Sequence, residues 1–242
     1  MRHVWDDESL DPTEPLWRYF NAARFIEALR TGTMHFASAR QFEDPFEGAV
    51  AVQPHDWPSD PRYDELDDLK GAFEQLRRLT KITSWHRADY ESDAMWKLYA
   101  AERKGIAVRT SVGRLSRALQ PFRLAPEYGE EEPFCGNVRY VDLRKVRLRA
   151  SMEARFFYKH RAFEWEREFR VAISLRMAEE NAVDVPEAGI FVPFDPHALI
   201  EDLYVGPSLA VDERRQVLAG LEQVDIPVKP IVSTLLGRPR YR

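Results

Sequence analysis

Apolar positions along the chain switch between two spacings, and each switch predicts an element. Residues 16–20, LWRYF, form a short aromatic run of strand type. The next segment, AARFIEALRTG, places Phe25, Ile26 and Leu29 on one helical face, with Asn21 as the N-cap and Gly32 at the end. TMHFAS (33–38) reads as a second strand. YDELDDLKGAFEQLRRL (63–79) reads as an amphipathic helix, acidic at its start and basic at its end, as the helix dipole favours. KITSWHR (81–87) is a third strand. Ser92 caps a predicted helix over 93–104, DAMWKLYAAERK, in which Met95, Leu98 and Tyr99 share a face and Gly105 follows the end. GIAVRT is a buried strand, SVGRLSRALQ a short helix, and 121–134 a long irregular acidic segment. NVRYVDL (137–143) alternates as one strand, and GIFVPF (189–194) and DLYVG (202–206) are further strands. VDERRQVLAGLEQ is a helix, and IPVKPIVST is a last strand whose Pro227 and Pro230 suggest a sheet edge. Helices and strands mix without strict alternation, so the predicted fold class is α+β, with a mixed, largely antiparallel sheet core and flanking helices.

One stretch departs from simple apolar patterning. In KHRAFEWEREFRVAISL (159–175), Glu164, Glu166, Glu168 and Arg170 sit two apart. In an extended backbone these four would line one face, with Trp165, Arg167, Phe169 and Val171 on the other. Such a face is either a ladder of solvated cross-strand ion pairs or part of a site, and the choice depends on what the rest of the chain supplies.

Composition removes several classes. The 242 residues suffice for one large domain, expected over 16–236, with an acidic arm at 1–15 and a basic tail, GRPRYR, at 237–242. A net charge of −5 gives no global pull toward nucleic acid or anionic membrane. The sequence has neither a bilayer-length apolar run nor a secretory signal at its start, which predicts a cytoplasmic protein. The single cysteine, Cys135, follows Glu130, Glu131 and Glu132, whose charges disfavour a thiolate, so packing is its expected role. The six histidines show no HxH, HxxxH or HExxH spacing, so a structural zinc is not expected. GxGxxG, GxxxxGK[ST] and GxSxG motifs are all lacking, which removes the common nucleotide and hydrolase machines.

Two further constellations accompany the Glu-rich stretch. In QFEDPFE (41–47), Asp44 precedes Pro45 in a predicted turn, and Asp44 with Glu47 could cap a helix or meet a substrate. A surface loop follows over 53–62. TSWHR and SDAMWKLYA together offer Ser84, His86, Trp96 and Tyr99, with Trp96 expected in the core.

In this order, LWRYF, FEDPFE, SWH with AMWKLYAAERKGIAV, and YKHRAFEWEREFRV resemble a bacterial family known as domain of unknown function 2971. That family carries an aromatic N-terminal strand, an F-[ND]-D-P-x-E loop, an MWxxY helix before a Gly-initiated strand, and an ExExR strand. The likeness runs from about Leu16 to Val205, and it implies no activity. A second, weaker resemblance is to the toxin-type mono-ADP-ribosyltransferases, which place an Arg on an early strand, a serine-bearing strand later, and an ExE before a further strand. Here Arg18, Thr83-Ser84 and Glu166-Arg167-Glu168 match those places.

What this second resemblance implies is an NAD-dependent transferase of a toxin or phage-defence system, with an ADP-ribosyltransferase-like fold, NAD as co-substrate and no call for a metal. Glu168 would be the catalytic carboxylate, with Glu166 beside it and Ser84 as buttress. Arg18 and Arg170 would hold the dinucleotide, with Tyr19, Trp85 or Tyr99 stacking on it. Asp44 and Glu47 would form a substrate loop, and the acceptor leaves no trace. Two alternatives stay open. One is a metal-dependent nuclease or phosphohydrolase using Asp44, Glu47, Glu166 and Glu168 around a divalent ion, with Lys159 or Arg170 on a phosphate. The other is a non-catalytic nucleotide- or protein-binding module in which the glutamates and Arg170 only fix the sheet.

Overall fold

The computed structural model describes residues 1–42, 44, 47–48, 66–142, 145–146, 148 and 150–237. The loop expected over 53–62, Pro45 of the expected turn, the start of the helix predicted from residue 63, and tail residues 238–242 lie outside the described residues. In chain order the elements are β1 (Arg2–His3), β2 (Pro15–Phe20), α1 (Ala22–Thr31), β3 (Thr33–Ser38), α2 (Leu66–Leu79), β4 (Thr80–Arg87), α3 (Asp93–Tyr99), β5 (Ile106–Ser111), α4 (Val112–Ala118), β6 (Phe134–Asn137), β7 (Arg139–Val141), β8 (Tyr158–His160), β9 (Glu168–Ser174), α5 (Arg176–Glu180), β10 (Gly189–Pro193), α6 (Pro196–Leu199), β11 (Asp202–Val205), α7 (Val211–Glu222) and β12 (Ile231–Val232). The fold is α+β with mostly antiparallel strand pairing and flanking helices, as the sequence pattern predicts. Among the described residues, no helix is long and apolar enough to cross a membrane.

The chain forms two compact units that interleave along the sequence. The first comprises Met1–Ser9, His35–Ser84 and Pro121–Phe191. In it, β6 runs antiparallel to β9 and parallel to β1, so the acidic opening segment is anchored by its first residues. β9 lies beside β4, β3 pairs antiparallel with β4, and β10 pairs with β3. The small parallel pair β7–β8 stands apart from that sheet. Trp5, Ile82, Phe134, Phe156 and Phe157 are the centre of the unit's core, with the Trp5 ring edge-on to Phe157 at 6.3 Å. Cys135 is buried there, and burial pushes its thiol up to about 11, consistent with packing.

The second unit comprises Leu10–Met34, Trp85–Gln120 and Val192–Arg242. Its strand order is β2, β5, β11, β12, and the last residues of β4 pair with β2 on its other side. Asn21 and Gly32 cap α1 as expected: the Asn21 carboxamide accepts from Ala23 N and Arg24 N, and Gly32 takes the left-handed conformation at φ 62°. The core is aromatic. Trp17 and Tyr19 pack with Met95, Trp96, Ala100 and Ala107. The polar edges are answered, with Trp17 Nε1 donating to Ala88 O at 2.8 Å, Trp96 Nε1 to Glu91 at 2.9 Å, and Ser92 N to Tyr19 Oη at 2.8 Å.

Four expectations need correction. The helix predicted over 93–104 stops at Tyr99, and Ala101, Glu102 and Arg103 all turn left-handed, at φ 48°, 56° and 68°. Tertiary bonds override the helix propensity of these residues: Arg103 N donates to Trp96 O, and its guanidinium grips Asp93 through two bonds of 2.6 and 2.8 Å. The buried face of α3 is accordingly Met95 and Trp96, while Leu98 and Tyr99 are exposed. The strand expected over 137–143 breaks at Val138, where the chain leaves β9 for β8. The last strand is only Ile231–Val232, although it does end the strand order, beside β11.

Gly105 closes the left-handed turn against β2. A Cβ there would lie 1.9 Å from the carbonyl oxygen of Phe20, a backbone atom that cannot swing aside. Gly105→Ala is therefore expected to destabilise the protein by about 1–3 kcal/mol, the usual range for overpacking, as read from urea denaturation. Gly71→Ala, with open space around its Cβ, is the matched control.

Candidate functional site

The Glu-rich stretch is not one continuous strand. Residues Arg161–Glu166 form a tight 3-10 turn, Arg167 follows in the left-handed region at φ 44°, and extended backbone starts only at Glu168. The expectation that Glu164, Glu166, Glu168 and Arg170 line one strand face is thus corrected for the first two. Glu168 and Arg170 do share a face of β9. Glu164, Trp165 and Arg167 are exposed, and Glu166 is turned inward. A non-glycine residue at positive φ is disfavoured by roughly 1–2 kcal/mol, so the turn is held by what surrounds it.

What surrounds it is a buried ionic cluster in the first unit. Lys159, at the centre of β8, directs Nζ between two carboxylates, donating to Glu168 Oε1 at 2.8 Å and to Glu166 Oε2. Arg170 is 1% exposed and binds Glu168 from the opposite side, with Nε to Oε2 at 2.7 Å and Nη2 to Oε1 at 3.1 Å. Its Nη1 donates to Phe156 O at 2.6 Å, and both terminal nitrogens reach Glu47, 123 residues away in sequence. Tyr140 Oη accepts from Glu168 N at 2.8 Å. The Glu168 carboxylate therefore has a cation on each side, whereas Glu166 has one cation and an ionised neighbour.

This asymmetry splits the pair. Burial works against ionising Glu168, but Arg170 and Lys159 overcome it and hold the carboxyl well below its ordinary range. Burial, reinforced by Glu168, pushes Glu166 up to about 7. Burial raises Glu47 as well, with Arg170 opposing. For Lys159, burial alone would lower the ammonium, yet the carboxylates prevail and raise it. Among the described residues of the cluster, three carboxyls (Glu47, Glu166, Glu168) meet two cations (Lys159, Arg170), and burial raises two of the three, Glu47 and Glu166.

The other expected site residues are distributed as follows. Asp44 is buried, and its carbonyl accepts from Glu47 N at 3.0 Å, so these two acids share a tight local turn in the first unit. Ser84 is half-buried on β4. In the second unit, the Arg18 guanidinium lies over the Phe20 and Trp85 rings, 5.0 and 5.6 Å from their centroids. Burial lowers its pKa to about 10, which leaves it cationic at neutral pH. Trp85 is 1% exposed. Tyr19 is buried between Trp17 and Trp96, whereas Tyr99 is 48% exposed. Tyr140 was not singled out from the sequence, and nothing in its position within an alternating run distinguishes it. The long-range pairing of Glu47 with Arg170 was equally hidden. Among the described residues no three His, Cys, Asp or Glu side chains are grouped to hold a metal ion, since Lys159 and Arg170 occupy the spaces between the acids.

Two outcomes follow for stability. Arg170→Met leaves Glu47 and Glu168 buried without their shared cation, and is expected to cost about 3–5 kcal/mol in chemical denaturation. Glu166 binds its proton more tightly folded than unfolded, so its contribution is complete below the ordinary Glu value and is lost as pH rises toward about 7. Glu168 acts oppositely: its contribution is present above the ordinary value and lost as pH falls through its lowered one. Glu166→Gln should lessen the decline in urea stability between pH 5 and 8, the remainder being due to the raised Glu47, while keeping the acid limb.

No family model matches the chain, so the family 2971 likeness stays at the level of motifs, and no curated protein matches it. Among solved structures it is similar to DarT of Thermus sp. 2.9 in complex with carba-NAD+, at 14% identity and a TM-score of 0.39, covering 93% of this chain and 96% of that one. It is also similar to that protein with NAD+, at 12% identity and TM-score 0.38, with the same 93% and 96% coverage. A third structure, with ADP-ribosylated ssDNA, gives 10% identity and TM-score 0.35 over 93% of this chain and 95% of the other.

Proposed function

We propose that this chain is an NAD-consuming transferase of the ADP-ribosyltransferase type, with Glu168 and Glu166 as its catalytic carboxylates. The observation that carries the proposal is the split pair: one carboxyl fixed as an anion by two cations, and its neighbour titrating close to neutrality. Two carboxyls driven apart in this way are suited to opening and remaking a glycosidic bond. Glu168 supplies fixed negative charge where positive charge develops on the anomeric carbon as the C–N bond to nicotinamide breaks and its electron pair leaves with the nicotinamide. Glu166, ionised above about pH 7, takes the proton from the acceptor's O–H or N–H as the new bond to that carbon forms. The proton then passes to solvent. Lys159 and Arg170 hold the acids in place and, being cationic throughout, exchange no proton.

A second reading is favoured by one observation. Arg170 is sheathed by protein acceptors and Glu168 is only 5% exposed, as in an ionic core that merely fixes the strand. Incubation with NAD labelled in the nicotinamide separates the two. The transferase releases nicotinamide, loses this in Glu168→Gln, and shows an activity limb near pH 7 that Glu166→Gln abolishes. Absence of NAD binding by calorimetry at millimolar ligand, together with no release, would leave the ionic-core reading standing.

A further inference from the structure

The carboxylate pair depends on a turn that is strained at Arg167 and exposed along most of its length, yet its backbone is tied at both ends by side chains of one small sheet. At its start, His160 Nδ1 accepts from Ala162 N at 3.2 Å and serves as the N-cap of the Arg161–Glu166 turn. At its end, Tyr140 Oη accepts from Glu168 N at 2.8 Å, just beyond the left-handed Arg167. Both side chains come from the parallel pair β7–β8, in which Tyr140 is registered with Lys159 and Val141 with His160. The same two strands therefore carry the cation between the glutamates and the two acceptors that fix the segment bearing them.

Nδ1 can accept only while it carries no proton, which puts the neutral ring's hydrogen on Nε2. That nitrogen lies 3.7 Å from Asp142 Oδ1, one residue past the end of β7. Among the described residues, the charged and titratable groups around the clamp include Asp142 beyond β7 with Lys145 beside it, Lys159 on β8, Glu168 and Arg170 on β9, Glu166 within the turn, and Glu47 behind Arg170.

We infer that Tyr140 and His160 are positioning residues for the proposed transfer: as acceptors at the two ends of the 161–168 segment, they set the register in which Lys159 meets Glu166 and Glu168. This inference rests on the transferase reading for its kinetic consequence but not for its structural one. Without either acceptor the turn can relax, Glu166 gains water, and the distinction between the two carboxylates shrinks.

The test compares Tyr140→Phe, which keeps the ring and removes only the oxygen, with His160→Ala and His160→Asn. Asparagine is itself a strong N-cap and should restore the function of histidine. Titration of the Glu166 carboxyl carbon by NMR, in full-length protein without any ligand, is expected to show its midpoint lowered in Tyr140→Phe and His160→Ala and returned toward wild type in His160→Asn. With NAD turnover measured on the same proteins, kcat should fall on the order of 10–100-fold, as misplacement of a reacting group does, with KM for NAD unchanged and the neutral pH limb displaced. If His160→Ala does not fold, Tyr140→Phe and His160→Asn carry the comparison. A Glu166 titration identical in wild type and Tyr140→Phe overturns the inference. Shifted titrations in a protein that never turns over NAD would sustain the positioning role and refute the transferase reading instead.

Discussion

A guanidinium removed from water must have its donors answered by the protein, and Arg170 satisfies this requirement with its strand neighbour Glu168, the Phe156 carbonyl and Glu47, 123 residues away in sequence. The planar fork suits two carboxylates at once in a way a lysine would not. The energetic logic is conditional: such an ion pair adds little over a well-packed apolar equivalent, but each member makes the others indispensable. The turn at Asp44–Glu47, the bend at Ala154–Phe157 and the start of β9 are thus mutually dependent.

The acids of this anchor are not compensated alike. Among the described contacts, Glu168 meets both Arg170 and Lys159, whereas Glu166 meets Lys159 beside an ionised Glu168, and burial prevails there. The result is a pair of neighbouring carboxyls with different protonation at the same pH. The backbone contributes as well. By leaving extended geometry at Arg167, the chain swings Glu166 inward beside Glu168 and presents Trp165 and Arg167 to solvent. A continuous strand would instead have spaced the glutamates along a face.

Most elements could be read from the sequence because they are written in local chemistry. Asn21 and Gly32 bracket α1, Ser92 caps α3, and the apolar strands β5 and β9 are legible as runs. The failures share one cause. Alternating Glu and Arg at 164–170 has the period of a strand, yet the partners that decide its shape, Lys159 and Tyr140, act through space. Ala101, Glu102 and Arg103 are good helix formers individually, and contacts such as those with Asp93 and Trp96 and the packing of Gly105 on β2 go with their left-handed turn. Of the site, the sequence exposed Glu168, Glu166 and Arg170 by proximity. It offered Glu47 only as an acid near a proline, with no sign that Arg170 was its partner.

Lys81, Arg18 and Arg170 are three buried or half-buried cations in contrasting surroundings. Lys81, wholly buried, is met by neutral carbonyls, with Nζ to Arg78 O at 2.7 Å and to Pro186 O at 2.5 Å, and burial lowers it to about 8. Arg18 lies against aromatic rings, and burial lowers it to about 10. Carbonyl dipoles and ring quadrupoles orient a cation but bring no proton of their own into play. Arg170 is held by full negative charges, which raise it well above its ordinary value and fix it as a permanent cation. Permanence on that side confines all the freedom to titrate to the acids. Of those, Glu168 is pinned by two cations, whereas burial raises both Glu47, where Arg170 opposes it, and Glu166, which is pushed up to about 7.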